Sequence, residues 1–353
     1  MSVQKRVDVL IVGQGLAGSL VAFYLEKAGK RVMVVDKQHE GASSKIAAGI
    51  VNPITGRRFV KSWMIDELLP VARVCYRELE ESLGVKLLYQ RSIYRLLDSP
   101  AEDNEWQSRS GAAPLAPYIG TASDEDRVQA IVQDHYGICE VKGIQVDLPL
   151  LIESYKQYLQ DKQALLLENF DYSALIPKEN GFEYGNIHCS SVIFCEGHQA
   201  RQNPWFSYLP FVLTKGEVFY LDLPQHTSEH ILKRKVMLAP MSNGQYWLGA
   251  NYEWTPQDDL PTEKGRQELE EKLKALLHLP YQIHTHTAAI RPTVKDRRPF
   301  LGEHTEEKGM YIFNGLGTKG VSLGPYWARH FCRWLIGKEE LAREVDIRRF
   351  NQE

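Results

Sequence analysis

Hydrophobic positions follow two rhythms along this chain, and the switches between them mark its elements. Val7 to Val12 is apolar apart from Asp8, which predicts a strand buried on both faces of a parallel sheet. Gly13-Gln14-Gly15-Leu16-Ala17-Gly18 follows directly, and Leu20, Val21, Phe23, Tyr24 and Leu25 then suit a packed helix stopped by Gly29. Arg31 to Val35 predicts a second strand with Asp36 at its end. Positions 64–83 carry apolar residues three and four apart, a helix closed by Gly84, and helices are also expected at 148–160 and over the charged segment 262–278. Strands are expected at 87–97, 164–168, 190–197, 282–290 and 309–315. Antiparallel strands are expected across 211–254, with a turn at Ser242-Asn243-Gly244, and a hairpin through Asn180-Gly181. The polar stretch 98–126 predicts a surface loop with a short helix or two. Leu316-Gly317-Thr318-Lys319-Gly320 is a second glycine turn, leading into a helix over 321–336.

The first unit has the parts needed to hold a dinucleotide. Gly13 permits a tight turn, Gly15 lets the backbone approach a pyrophosphate, and Gly18 lets helix and strand pack closely. The pyrophosphate then sits on the helix N-terminus, where unpaired N–H groups and the positive dipole end favour an anion. Asp36 would accept hydrogen bonds from the adenosine ribose, and an acid there favours FAD or NAD over NADP. Glycine turns at both ends of the chain imply a site assembled from both termini, with the middle segments inserted between them.

Length and composition narrow the class. At 353 residues, two domains and an interior able to enclose a cofactor are expected. A net charge of −3 gives no global attraction to nucleic acid or anionic membrane. The five cysteines form no CxxC and no metal spacing, so they are expected to be reduced core residues of a cytoplasmic protein. The uncharged run from Val9 to Leu25 falls short of the roughly 20 apolar residues of a spanning helix and is explained by the strand and helix above.

These residues resemble those of the FAD-dependent amine and amino-acid oxidoreductases of the D-amino-acid oxidase superfamily, and among them are most similar to the glycine oxidases. The similarity rests on the N-terminal fingerprint, on Ser43-Ser44 with Ala48-Gly49-Ile50, on Val192 to Gly197, and on Thr214-Lys215-Gly216-Glu217. It continues through Ile290-Arg291-Pro292 to Pro299-Phe300-Leu301-Gly302 and through Gly315 to Pro325. The fold it implies is α/β, a doubly wound Rossmann-type FAD-binding domain (1–84, 142–210 and 290–353) with an antiparallel-sheet substrate domain (85–141 and 211–289). The activity it implies is oxidation of the C–N bond of an amino acid or carboxylate-bearing secondary amine, with oxygen or another electron acceptor reoxidising the flavin.

The resemblance also implies roles. Gly13, Gly15, Leu16, Ala17 and Gly18 would bind the pyrophosphate, Asp36 the ribose and Lys37 the adenine side. Ser43 and Ser44 would contact the diphosphate, and Ala48, Gly49 and Ile50 would run past the flavin. Tyr172 would meet the adenine through its main chain and Gly197 would close the following strand. Gly315, Leu316, Gly317, Thr318, Lys319, Gly320 and Val321 would cradle the pyrimidine edge, and Arg291 would pair with the substrate carboxylate. Covalent flavin attachment is not expected, because neither 43–50 nor 290–302 contains His or Cys. Two positions depart from the glycine oxidase pattern: Met237 stands where a tyrosine is expected, and Thr318 where a basic residue is, with Lys319 adjacent.

Other readings stay open at this level. Arg291 could be a structural ion-pair residue, and His284 and His286, on one strand face, could be ordinary strand residues or metal ligands. Arg57, Arg58 and Lys61 could form a solvated basic loop or bind an anion or tRNA. Cys332 is expected in the core. The alternative functions are a flavin-dependent enzyme modifying wobble uridine in tRNA, and a non-catalytic FAD-binding protein.

Overall fold

The computed structural model describes residues 5–122, 125–223 and 228–350 and contains two large sheets. The first has a parallel centre in the order Met310–Asn314, Ile187–Phe194, Lys5–Val12, Val32–Asp36, Leu165–Leu167. The hairpin Leu175–Lys178 and Gly181–Tyr184 extends it antiparallel on one side, and Phe300–Glu303 runs antiparallel to Met310–Asn314. Along Lys5–Val12, Val9 and Ile11 enter one apolar cluster and Leu10 and Val12 another, so both faces of the strand are covered. That coverage explains the nearly unbroken apolar run.

Helices Leu16–Lys27 and Gly320–Leu335 pack against each other. Gly324 permits the approach, since a Cβ there would lie 2.7 Å from Leu20 Cδ1. Helix Ile65–Leu83 packs on Gly320–Leu335, and the buried Tyr76 hydroxyl donates to the Val321 carbonyl at 2.9 Å.

In the second sheet the path runs Gln282–Arg291, Thr214–Asp222, Tyr246–Gly249, Met237–Pro240, Ile231–Lys233, Leu88–Leu97, Gly137–Val146, Ile50–Val51. Leu88–Leu97 is one ten-residue strand paired along its length with Gly137–Val146, where separate short strands were expected. Ile231–Lys233 runs parallel to Leu88–Leu97, a departure from the antiparallel expectation for 211–254. A parallel pair requires a crossover, and here the chain between the two strands supplies it, a relation local pattern does not reveal. Helix Glu263–Leu276 covers this sheet, with Thr262 Oγ1 capping it by accepting from Gly265 N at 3.0 Å. The polar stretch carries helix Pro100–Ser110, capped by Ser99, and a short 3₁₀ turn at Ala116–Tyr118; positions 123 and 124 lie outside the described residues.

Gly49 packs directly against the end of strand Gly137–Val146 in the second sheet. Its φ is +70° and a Cβ would lie 1.7 Å from the Val146 carbonyl oxygen, a backbone atom with nowhere to move. Gly49→Ala should therefore cost at least about 2 kcal/mol, read as a lower thermal midpoint of the purified protein. An unchanged midpoint would show that the backbone contact with Val146 is not tight.

Candidate active site

A cleft of about 930 Å³ opens between the C-terminal ends of the parallel strands and the second sheet. Its position suits a nucleotide, since ligands of open α/β sheets bind beyond the carboxyl ends of the strands. Gly13, at φ +102°, turns the chain out of the first strand, and a Cβ on it would meet the Cys195 carbonyl oxygen at 2.6 Å. Gly18 stands against that turn, where a Cβ would be 1.8 Å from the Gly13 carbonyl oxygen. Gly15 faces the cleft, with Ser44 Oγ the nearest atom to a Cβ at 3.3 Å. Ser44 Oγ accepts from Leu16 N at 3.0 Å, so a serine oxygen occupies a helix N–H that an oxyanion can also use.

Asp36 organises the neighbouring loop. One carboxylate oxygen accepts from Gln14 N at 2.6 Å and the other from Gln38 N at 2.5 Å and Gln38 Nε2 at 3.1 Å. Gln38 Oε1 lines the same end of the cleft and is buried without a partner, an acceptor that a bound group would satisfy. The glycine cradles, the helix terminus and this unsatisfied acceptor all fit the dinucleotide of FAD.

The second sheet holds the serine-rich segment in place. Trp247 Nε1 donates to the Ile46 carbonyl at 2.8 Å, the Tyr220 hydroxyl to the same oxygen at 3.3 Å, and Gln145 Nε2 to the Ala48 carbonyl at 3.0 Å. Ser43, Ser44, Ala48, Gly49 and Ile50 thereby line the cleft. At the other glycine turn, Asn314 Oδ1 accepts from Gly315 N at 2.7 Å and its Nδ2 donates to the Gly197 carbonyl at 3.0 Å, tying the ends of two parallel strands together. Leu316, Gly317, Thr318, Lys319, Gly320 and Val321 line the cleft beside the N-terminus of helix Gly320–Leu335. Gly18 and Gly315 stand behind the lining, whereas Lys37, Tyr172, Gly197 and Arg291 are part of it.

Two titratable groups mark the nucleotide end. Burial pushes the Glu196 carboxyl above its ordinary value, opposed by the Tyr172 hydroxyl, which donates to it at 2.5 Å, and by Asn203 Nδ2 at 2.8 Å. Burial, with His39 adding repulsion, pulls His198 down to about 4, so it is neutral at physiological pH. Because the folded Glu196 binds its proton more tightly than the unfolded residue, its contribution to stability is complete below pH 4.5 and is lost as pH rises through the raised value. Glu196→Gln should remove that loss. Its thermal midpoint relative to the parent should climb from pH 4.5 upward, and a difference that does not depend on pH would refute the assignment.

Arg291 ends strand Gln282–Arg291 and faces the cleft. Among the described residues no carboxylate pairs with it; Nη1 donates to the Lys215 carbonyl at 3.2 Å and the guanidinium lies 4.6 Å from the Tyr252 ring centroid. Burial pushes its pKa down, but from so high a start that it stays charged. Gly216 makes room for it, since a Cβ there would sit 1.8 Å from Arg291 Nη2. The adjacent Lys215 is buried and engaged with Glu253 at 2.9 Å, Asp258 at 3.6 Å and the Leu260 carbonyl at 3.1 Å, which secures the segment that carries Tyr252. Tyr252 and Gln38 escaped the sequence reading: each is a common residue in an unpatterned loop, and only tertiary placement brings it to the site.

The remaining candidates lie elsewhere. His284 contacts Asp222 at 2.6 Å and His286 lies 2.7 Å from Glu217, each beside a single carboxylate. No group of three His, Cys, Asp or Glu suited to a metal occurs among the described residues. Arg57 and Arg58 are exposed at the tip of the hairpin Ile54–Thr55 and Val60–Lys61, and Lys61 pairs with Asp66. Cys332 and the other four cysteines are buried thiols. No helix among the described residues is long and apolar enough to cross a membrane.

Residues 8–334 match the model of the FAD dependent oxidoreductase family, DAO. The chain belongs to that family. As a member it is an FAD-dependent oxidoreductase. It is 25% identical to an uncharacterized oxidoreductase, YurR, of Bacillus subtilis, over 96% of each chain. It is 24% identical to the glycine oxidase of Pseudomonas putida, over 95% of this chain and 96% of that one. Among solved structures, glycine oxidase from Bacillus cereus superposes with a TM-score of 0.78 at 20% identity, covering 95% and 96% of the two chains. Iminodiacetate oxidase from Chelativorans sp. BNC1 does so with 0.77 at 22%, covering 96% and 98%. The structural likenesses establish the fold: a largely parallel sheet beside a largely antiparallel one.

Proposed function

We propose that this FAD-dependent oxidoreductase oxidises the C–N bond of an amino acid or of a secondary amine that carries a carboxylate. One observation supports this reading above the others: Arg291 is a cation facing the cleft, with no carboxylate partner among the described residues. A guanidinium pairs both oxygens of a carboxylate at once, which fixes orientation as well as position. The relatives named above as glycine oxidases and as an iminodiacetate oxidase point to the same class of substrate.

Bound FAD, held without a covalent link, supplies a hydride acceptor at its N5. The chain's own residues do the rest. Gly13 to Gly18 and Asp36 would hold the dinucleotide, Ala48 to Ile50 and Leu316 to Val321 would enclose the flavin, and the N-terminus of helix Gly320–Leu335 would favour negative charge developing on it. Arg291 sets the amine-bearing carbon, while Tyr252 and Trp247 keep the cleft wall apolar. The first sheet and its helices form the FAD-binding part (1–84, 142–210, 290–353). The second sheet is the core of the substrate part (85–141, 211–289); its strand Gly137–Val146 runs across the boundary at 141/142, so the substrate part extends to 146 and the FAD-binding part resumes at 147.

Purified protein should be yellow, release intact FAD on acid precipitation, and change its flavin absorbance when a simple carboxylate such as acetate is titrated in. Colourless protein that takes up no FAD would refute the cofactor reading, and a flavin spectrum indifferent to every carboxylate would refute the substrate reading.

A further inference from the structure

The cleft has a basic wall that Arg291 does not account for. Lys233 ends strand Ile231–Lys233 and lines the cleft, as do Lys319 and Arg297. Among the described residues no carboxylate pairs with Lys233, and Glu102, whose charge it feels, is engaged by Arg95. Lys319 Nζ donates to Ser62 Oγ at 3.3 Å and has no carboxylate partner among the described residues either. Burial, with Arg95 next and Lys319 adding repulsion, brings the Lys233 ammonium down to about 8, so it remains largely charged near neutrality without a counter-ion. A desolvated, uncompensated cation is costly, and an anion bound beside it offsets that cost. The wall is also fixed: Arg95 donates to the Gly56 carbonyl at 2.7 Å and lies 4.1 Å from the Phe59 ring centroid, holding the hairpin Ile54–Thr55 and Val60–Lys61.

Lys233 and Arg291 stand at separate places in the second sheet. Their strands are four steps apart in the sheet, through Thr214–Asp222, Tyr246–Gly249 and Met237–Pro240. At about 4.8 Å per step that is roughly 19 Å across the sheet, and the register that runs from Lys233 through Met237, Gly249 and Val218 reaches Thr287, four residues short of Arg291, so the two side chains enter the cleft at separate places on its wall. Two separate cations on the walls of one cleft suit the two ends of one ligand.

We propose that Lys233 and Lys319 form a second anion subsite, which receives an acidic group at the far end of an amine whose first carboxylate rests on Arg291. The substrate class is then the dianionic amines, an inference that rests on the Arg291 reading above. Titrating the FAD-loaded protein with straight-chain dicarboxylates from malonate to pimelate, and with the monocarboxylate of each length, tests it by flavin absorbance without turnover. At least one dicarboxylate should bind tenfold or more tightly than its monocarboxylate counterpart. Lys233→Met should abolish that advantage while leaving the monocarboxylate within about twofold, Lys233→Arg should keep it, and Arg291→Ala should weaken both ligands. Equal affinity of the two ligands at every length, with Arg291→Ala still weakening both, overturns the second subsite alone. So does a Lys233→Met variant that weakens both alike, which would place the lysine with the flavin or the fold. No response to any carboxylate overturns this proposal and the Arg291 reading together.

Discussion

Arg291→Ala should reduce the rate of anaerobic flavin reduction at subsaturating amine by at least about a hundredfold, because a desolvated charge-assisted pair is worth far more than an exposed one. The expectation follows from a guanidinium that contacts the Lys215 carbonyl and the Tyr252 ring and has no carboxylate partner among the described residues. Lysine at 291 should restore only part of the rate, since a point charge cannot grip both oxygens and set the tilt of the substrate carbon. FAD content should stay near normal, and stopped-flow reduction of the three proteins separates the outcomes. An alanine variant reduced as fast as its parent at every amine concentration would remove Arg291 from the site.

Gly18→Val should leave little or no FAD-loaded protein. A Cβ at 18 would lie 1.8 Å from the Gly13 carbonyl oxygen, and neither atom can retreat: Gly13 is itself closed in by the Cys195 carbonyl, and the helix that carries Gly18 packs against Gly320–Leu335. The helix must shift away from the first strand, and with it the N–H groups that face the pyrophosphate. Gly15→Val should be milder for the fold, because a Cβ there meets only Ser44 Oγ at 3.3 Å, but it should still exclude cofactor. Flavin-to-protein absorbance ratios and thermal midpoints measured together distinguish the two. A Gly18→Val protein with parental flavin content would contradict the cradle.

The parts of this molecule that were legible in the sequence are those governed by neighbours in the chain. Val7 to Asp36 is an example: the apolar run, the glycine spacing and the terminal acid are local, and the strand, helix Leu16–Lys27 and Val32–Asp36 follow in that order. The helices Ile65–Leu83, Leu148–Asp161 and Glu263–Leu276 were legible for the same reason, through the spacing of their apolar positions and through a stop such as Gly84. What escaped depends on partners distant in sequence. Gly216 looks like an ordinary strand glycine until Arg291 is found against it, and the parallel pairing of Ile231–Lys233 with Leu88–Leu97 is a property of the whole sheet. Tyr252, Gln38 and Lys233 sit in no motif, and only the closing of the two sheets around one cleft makes them neighbours of a ligand.

The most direct test of amine oxidation by this chain is anaerobic mixing of the FAD-loaded protein with a panel of amino acids, N-methyl amino acids and amine dicarboxylates, following the flavin absorbance near 450 nm. Bleaching by at least one carboxylate-bearing amine, and none by the same amine without its carboxylate, is the predicted result. A flavin that stays oxidised with every member of the panel, while dithionite reduces it normally, would contradict the account.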